Sequence, residues 1–130
     1  MSWQPTWLMA RQPGPKGLGE VHLCATPGPS PHEHALEQVA AAGLAVGLDP
    51  FTAISQAYER LGWAGFRGDP LHPVESLTAA ERLACAVAAA LMGQPRRLRV
   101  VGPFGTEAAD YLAQVLPALA RRVGCEVCWV

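Results

Sequence analysis

Asparagine is absent from all 130 residues, Ile54 is the single isoleucine and Lys16 the single lysine. Alanine, leucine, glycine, proline and arginine fill those places, a bias of GC-rich coding that also removes a thermolabile side chain and says nothing about activity. Positive charge is scarce as well. Ten Lys and Arg face eleven Asp and Glu, for a net charge of −1. With the arginines scattered along the chain, that balance excludes a basic face and predicts no nucleic-acid partner. Long apolar runs are also missing. The stretch Leu83 to Met92 is apolar throughout, but it is about half the ~20 residues needed to cross a bilayer, so direct membrane insertion is not expected. No secretory signal pattern is present, and the expectation is a cytoplasmic protein with reduced thiols.

What is there suits one domain over residues 1–130, half of them apolar, with a core of its own. Residues 1–31 are the least helical. Trp3 to Met9 and Gly19 to Cys24 read as strands around the turn Gln12-Pro13-Gly14-Pro15-Lys16-Gly17, and a hairpin is predicted. Residues 32–62 read as helical. Leu36, Val39, Gly43 and Val46 recur at helical spacing over His32 to Val46, with Glu33 in the first turn. Asp49-Pro50 is an N-cap followed by proline at the first helical position, with Phe51, Ile54, Tyr58 and Leu61 as the expected buried face and Gly62 as the end.

Residues 63–76, with Gly65, Gly68, Pro70 and Pro73, form a loop. Thr78-x-x-Glu81 is a capping box, opening a helix buried nearly all round from Leu83 to Met92. Arg97 to Val101 reads as a strand. A helix over Thr106 to Val123 follows, with Ala109, Leu112, Val115, Leu116 and Leu119 facing inward, Gly124 ends it, and a strand runs from Cys125 to Val130. Strand, helix, strand at this spacing predicts a right-handed crossover between parallel strands. The fold class is α/β, a small and mainly parallel sheet with packed helices and a helical insertion.

From about Val21 to Val130 this order resembles the C-terminal half of an ATP-binding-cassette ATPase, a P-loop NTPase-like remnant. Leu77-Thr78-Ala79-Ala80-Glu81 aligns with the family's Leu-Ser-Gly-Gly-Glu signature, where hydroxyl and glycine backbone hold a phosphate bound by a partner subunit. Ala79 and Ala80 replace both glycines, placing methyl groups where phosphate needs close approach. Arg99-Val100-Val101-Gly102-Pro103-Phe104-Gly105 falls where the family's strand ends in an Asp-Glu pair, and it supplies no carboxylate for metal or base. Gly-x-x-x-x-Gly-Lys-[Ser/Thr] does not occur. Lys16-Gly17-Leu18-Gly19 lacks its spacing. The switch histidine would follow the last strand, and the family's glutamine loop has Ala25-Thr26 near its place.

The resemblance therefore implies a degenerate ATPase without ATPase activity, metal or cofactor. The expected role is scaffold or regulatory partner of another protein, an ATPase subunit or membrane component of a transporter, or of a second copy. The alternative is a small-molecule or nucleotide binding module that uses the helix starts at Thr78 and Thr106.

Other chemistry is weaker. Cys125-x-x-Cys128 is read as lying in one strand, where residues three apart face opposite ways and cannot share an ion. His32 and His34 diverge by about 200° around a helix axis. Ser55, Ser76 and Cys85 show no base beside them, and Glu107 and Asp110 suit a helix dipole. Trp3, Trp7, Trp63, Phe66 and Trp129 sit in termini or loops and are the candidate interface aromatics.

Overall fold

The structure is a computed structural model, and it describes residues 7–11, 20–26, 33–101 and 106–129. Strands β1 (Trp7–Arg11) and β2 (Glu20–Thr26) pair antiparallel, from Trp7 opposite Thr26 to Arg11 opposite His22. The predicted antiparallel pairing is present, but the strands are Trp7–Arg11 and Glu20–Thr26 where the sequence predicts Trp3 to Met9 and Gly19 to Cys24, with residues 3–6 outside the described set. Strand β3 (Arg97–Val101) runs parallel to β2, and β4 (Glu126–Trp129) parallel to β3, giving the order β1-β2-β3-β4. The sheet is mainly parallel, with one antiparallel strand at its edge. Along β3, Leu98 and Val100 are buried while Arg97 and Arg99 are exposed. Helices cover one face of this strand.

Among the described residues there are four α-helices, α1 (Ala35–Ala45), α2 (Pro50–Trp63), α3 (Ala79–Ala90) and α4 (Thr106–Val123). Helix α3 carries no polar stripe after Arg82, and from Leu83 to Met92 only Ala89 is not fully buried. Such a helix needs apolar neighbours on every side. It has them. Leu83, Ala86, Val87 and Ala90 join Leu98, Val100, Leu112, Leu116 and Leu119 over the sheet, while Cys85, Ala88 and Met92 join Ala35, Val39, Ala53, Ala57 and Leu61 of α1 and α2.

Several boundaries and faces differ from the sequence reading. Helix α1 starts at Ala35, not His32, because its first N–H groups are met by loop carbonyls: Ala35 donates to His72 and Leu36 to Pro70, at 3.4 and 2.9 Å. Glu33 thus precedes the helix, its own carbonyl accepting from Val74 N–H at 2.8 Å, and Glu37 is the first-turn acid. In α2 the expected face is inverted. Phe51 is 88% exposed, Tyr58 50% and Ile54 44%, and only Leu61 of the predicted set is buried. The packed side is Ala53, Ala57, Arg60 and Leu61, where two small residues let α2 lie close to its neighbours. The helix also continues past Gly62 to Trp63.

Helix α4 buries Ala108 and Ala120 beside Leu112, Leu116 and Leu119, and Ala109 is exposed. Pro117 lies within it on the exposed side, where the loss of one intrahelical bond leaves the carbonyl of Ala113, itself exposed, toward solvent. Cys125 precedes β4 instead of starting it. Its N–H closes α4 by donating to Ala120 O at 2.8 Å, after Gly124 turns the chain at φ +72°.

Candidate functional site

Leu77 is buried and anchors the segment ahead of α3, while Ala79 and Ala80 are exposed at the helix start. Thr78 takes the extended conformation of an N-cap. Glu81 N–H donates to Thr78 Oγ1 at 3.1 Å, and Thr78 N–H donates to Glu81 Oε1 at 3.0 Å. The two polar side chains of the signature-like stretch are therefore engaged with one another's backbone. The amides of Ala79 and Ala80 remain as the first-turn donors of this end.

The loop after α2 closes over the same place. A Cβ on Gly68 would collide with Glu81 Oε2, and Phe66 Cε1 stands 3.6 Å from that position, so Gly68, Phe66 and Glu81 meet although 13 and 15 positions separate the loop residues from the glutamate. Asp69 accepts from Leu71 N–H at 2.9 Å, Ser76 Oγ donates to Pro73 O at 2.7 Å, and Val74 is buried in a 3-10 turn over Val74–Ser76. The loop is a built surface tied to α1 and α3.

Of the candidate interface aromatics, Trp3 lies outside the described residues and Trp7 is placed on β1 by backbone alone. Trp63 and Phe66 are half-buried and close the core. The guanidinium carbons of Arg60 and Arg122 each lie 4.7 Å from the centroid of the Trp63 ring. Arg60 itself is only 3% exposed, its Nε donates to Leu91 O at 3.4 Å, and it is ion-paired with Glu59. Burial pulls its guanidinium below the ordinary value, and Glu59 works against that shift. Trp129, on β4, is 52% exposed.

A surface absent from the sequence reading is larger. Leu44 of α1 and Phe51, Ile54 and Tyr58 of α2 are exposed, next to an open groove of about 260 Å³ whose lining includes Leu36, Glu37, Ala40, Leu44, Pro50 and Ile54. Its signal was present: Ala53, Ala57 and Leu61 recur at i, i+4 and i+8 on the other side of α2, and an apolar face of small residues competes with one of large residues.

The remaining chemistry is sparse. Cys85, Cys125 and Cys128 are free thiols. Burial pushes Cys85 up to about 12, with a smaller contribution from Glu81, and pushes Cys125 up to about 11, with smaller ones from Cys128 and Glu126. Both are inert thiols at neutral pH. His34 Nδ1 lies 3.0 Å from Glu37 Oε1, and His72 Nε2 3.6 Å from Asp69 Oδ2. Among the described residues, no three His, Cys, Asp or Glu side chains gather as a metal site. No described helix is long and apolar enough to cross a membrane. Glu107 and Asp110 are exposed in the first turns of α4, and residues 102–105, 16–19 and His32 lie outside the described set.

No protein-family model matches the sequence, and no curated protein matches it. Among solved structures the chain is similar to the ATP-binding cassette MJ0796, in a dimeric post-hydrolysis state bound to ADP and Pi, with a TM-score of 0.59 and 20% identity over 78% of this chain. The chain spans about half of that neighbour, 47% of its length. Three parallel strands with a helical layer between the first and second of them, and the match to that solved structure, make this an α/β fold similar to that of an ABC ATPase.

Proposed function

We propose that this chain is a non-catalytic ABC-ATPase-like module that acts as a scaffold or regulatory partner of another protein, an ATPase subunit or membrane component of a transporter, or of a second copy of itself. The observation that carries the reading is the exit of β3. After Val101 the chain continues Gly102-Pro103-Phe104-Gly105, and the next carboxylate is Glu107, exposed in the first turn of α4. Polarising water and holding magnesium require carboxylates at such a strand end. The engagement of Thr78 and Glu81 in their own helix cap supports the same conclusion. The exposed apolar face of α1 and α2 supports docking in place of catalysis.

The test is turnover of magnesium ATP by the purified protein, with a nucleotide titration followed by thermal melting. No hydrolysis and no stabilisation are expected. Magnesium-dependent hydrolysis that disappears in Thr78→Ala or Glu81→Gln would overturn the proposal. A melting temperature that climbs with nucleotide concentration would favour the binding-module reading at the α3 start.

A further inference from the structure

We infer that the outer face of α1 and α2 is a two-fold contact between copies of this chain, with Phe51 of each copy seated in the groove of the other. This deepens the interaction reading above by naming the surface and its occupant. On α2 the exposed residues Phe51, Ile54, Ser55, Tyr58 and Gly62 fall on one helix face, and Ile54 also forms a wall of the groove between α1 and α2. One surface thus carries both the projecting ring and the apolar recess that fits it. A self-complementary patch of this kind closes into a dimer around a two-fold axis and stops there.

The exposed area agrees with that occupant. Leu44, Phe51, Ile54 and Tyr58, 44% to 88% exposed, present about 500 Å² of mostly apolar surface, which is what one side of a standard interface of roughly 800 Å² contributes as its apolar part. Three carboxylates, Glu37, Asp49 and Glu59, flank this patch along α1 and α2. Glu37 has His34 at 3.0 Å, Glu59 has Arg60, and Asp49 accepts from Thr52 N–H and Oγ1 at 3.0 and 2.6 Å, bonds that hold its carboxyl below the usual range. An anionic membrane surface gains nothing from this acidic rim.

Sedimentation of the full chain tests this. Wild type is expected to rise from the 13.8 kDa of one copy toward twice that mass below about 500 µM. Phe51→Glu is expected to weaken association at least about tenfold, because it places a charge in the apolar contact. It should still fold, since Phe51 touches little of the core and an acid in the first turn suits the helix. Trp129→Glu, at an exposed residue of β4 outside the α1 and α2 face, should associate as wild type does, and association should not weaken as salt is raised. A wild-type monomer throughout, a Phe51→Glu dimer as tight as wild type, or association that salt dissolves would overturn the inference. Such a monomer that still captured an ATPase subunit would leave the scaffold reading standing, and a dimer that hydrolysed ATP would overturn that reading alone.

Discussion

Arg122, in the last turn of α4, holds its guanidinium 4.7 Å from the ring centroid of Trp63, the last residue of α2. Arg60 lies at the same distance from the ring. One indole thus joins helices that are 59 positions apart in sequence, Trp63 to Arg122. The two arginines are not equivalent, because Arg122 is exposed and Arg60 is buried with a backbone carbonyl to satisfy. Arg122→Ala is expected to cost about 0.5–1 kcal/mol, and Arg60→Ala about 2–4 kcal/mol, since the second also leaves Leu91 O without its donor and opens a gap. Denaturant melts that rank the two in the opposite order would refute this assignment.

The close approach of Gly68 to Glu81 gives a coupling experiment. Gly68→Ala must displace the Glu81 carboxylate, and with it the bond to Thr78 N–H, for an expected loss of about 1 kcal/mol. In a Glu81→Ala background the added methyl meets no carboxylate, so Gly68→Ala should then be nearly silent. A double-mutant cycle reads the difference, and additive effects would show that the loop does not lean on the cap.

The inverted face of α2 predicts a sharp contrast between neighbouring positions. Phe51→Ser should change monomer stability by less than about 0.5 kcal/mol, whereas Leu61→Ala, which removes a side chain 3% exposed, should cost about 2–5 kcal/mol. Comparable losses at both sites would restore the face expected from the large residues.

Alkaline pH should destabilise the protein through two buried thiols, Cys85 and Cys125, and the partly buried Tyr111. Burial raises Cys85 from 9.0 to about 12, Cys125 from 9.0 to about 11, and Tyr111 from 10.0 to about 12, the last also feeling Cys85. Raised values in the native state mean that the unfolded chain loses these protons first. The stability they contribute is whole below about pH 9 and declines from there through about pH 12. Cys85→Ala should flatten part of that slope, and a profile unchanged across this window in wild type would contradict the burial of these groups. Tyr111→Phe, which removes the hydroxyl donating to Ala64 O at 2.7 Å, should cost about 1 kcal/mol at neutral pH.

Local signals in the sequence were accurate where the chemistry is local. The Thr78 capping box, the Asp49-Pro50 start, the β3 limits at Arg97 and Val101 and the α4 limits at Thr106 and Val123 are each set by residues within a turn or two. The start of α1 was misplaced because its cap comes from carbonyls of Pro70 and His72, more than thirty residues away. The facing of α2 was misplaced for a related reason. Periodicity finds two apolar sides and only the neighbouring helices select one. The signature-like stretch is legible as a helix start, yet the approach of Gly68 to Glu81 depends on a fold that brings a loop back over it.

A helix with hydrocarbon on every side has a kinetic consequence. Helix α3 lends Val87 and Ala90 to one apolar cluster and Cys85 and Ala88 to the other, so neither can open to water while its shared wall stays in place. Amide protons of α3 should accordingly trade for deuterium only when the entire molecule unravels, the slowest class in the protein, while those at the ends of β4 and α1 escape through smaller fluctuations.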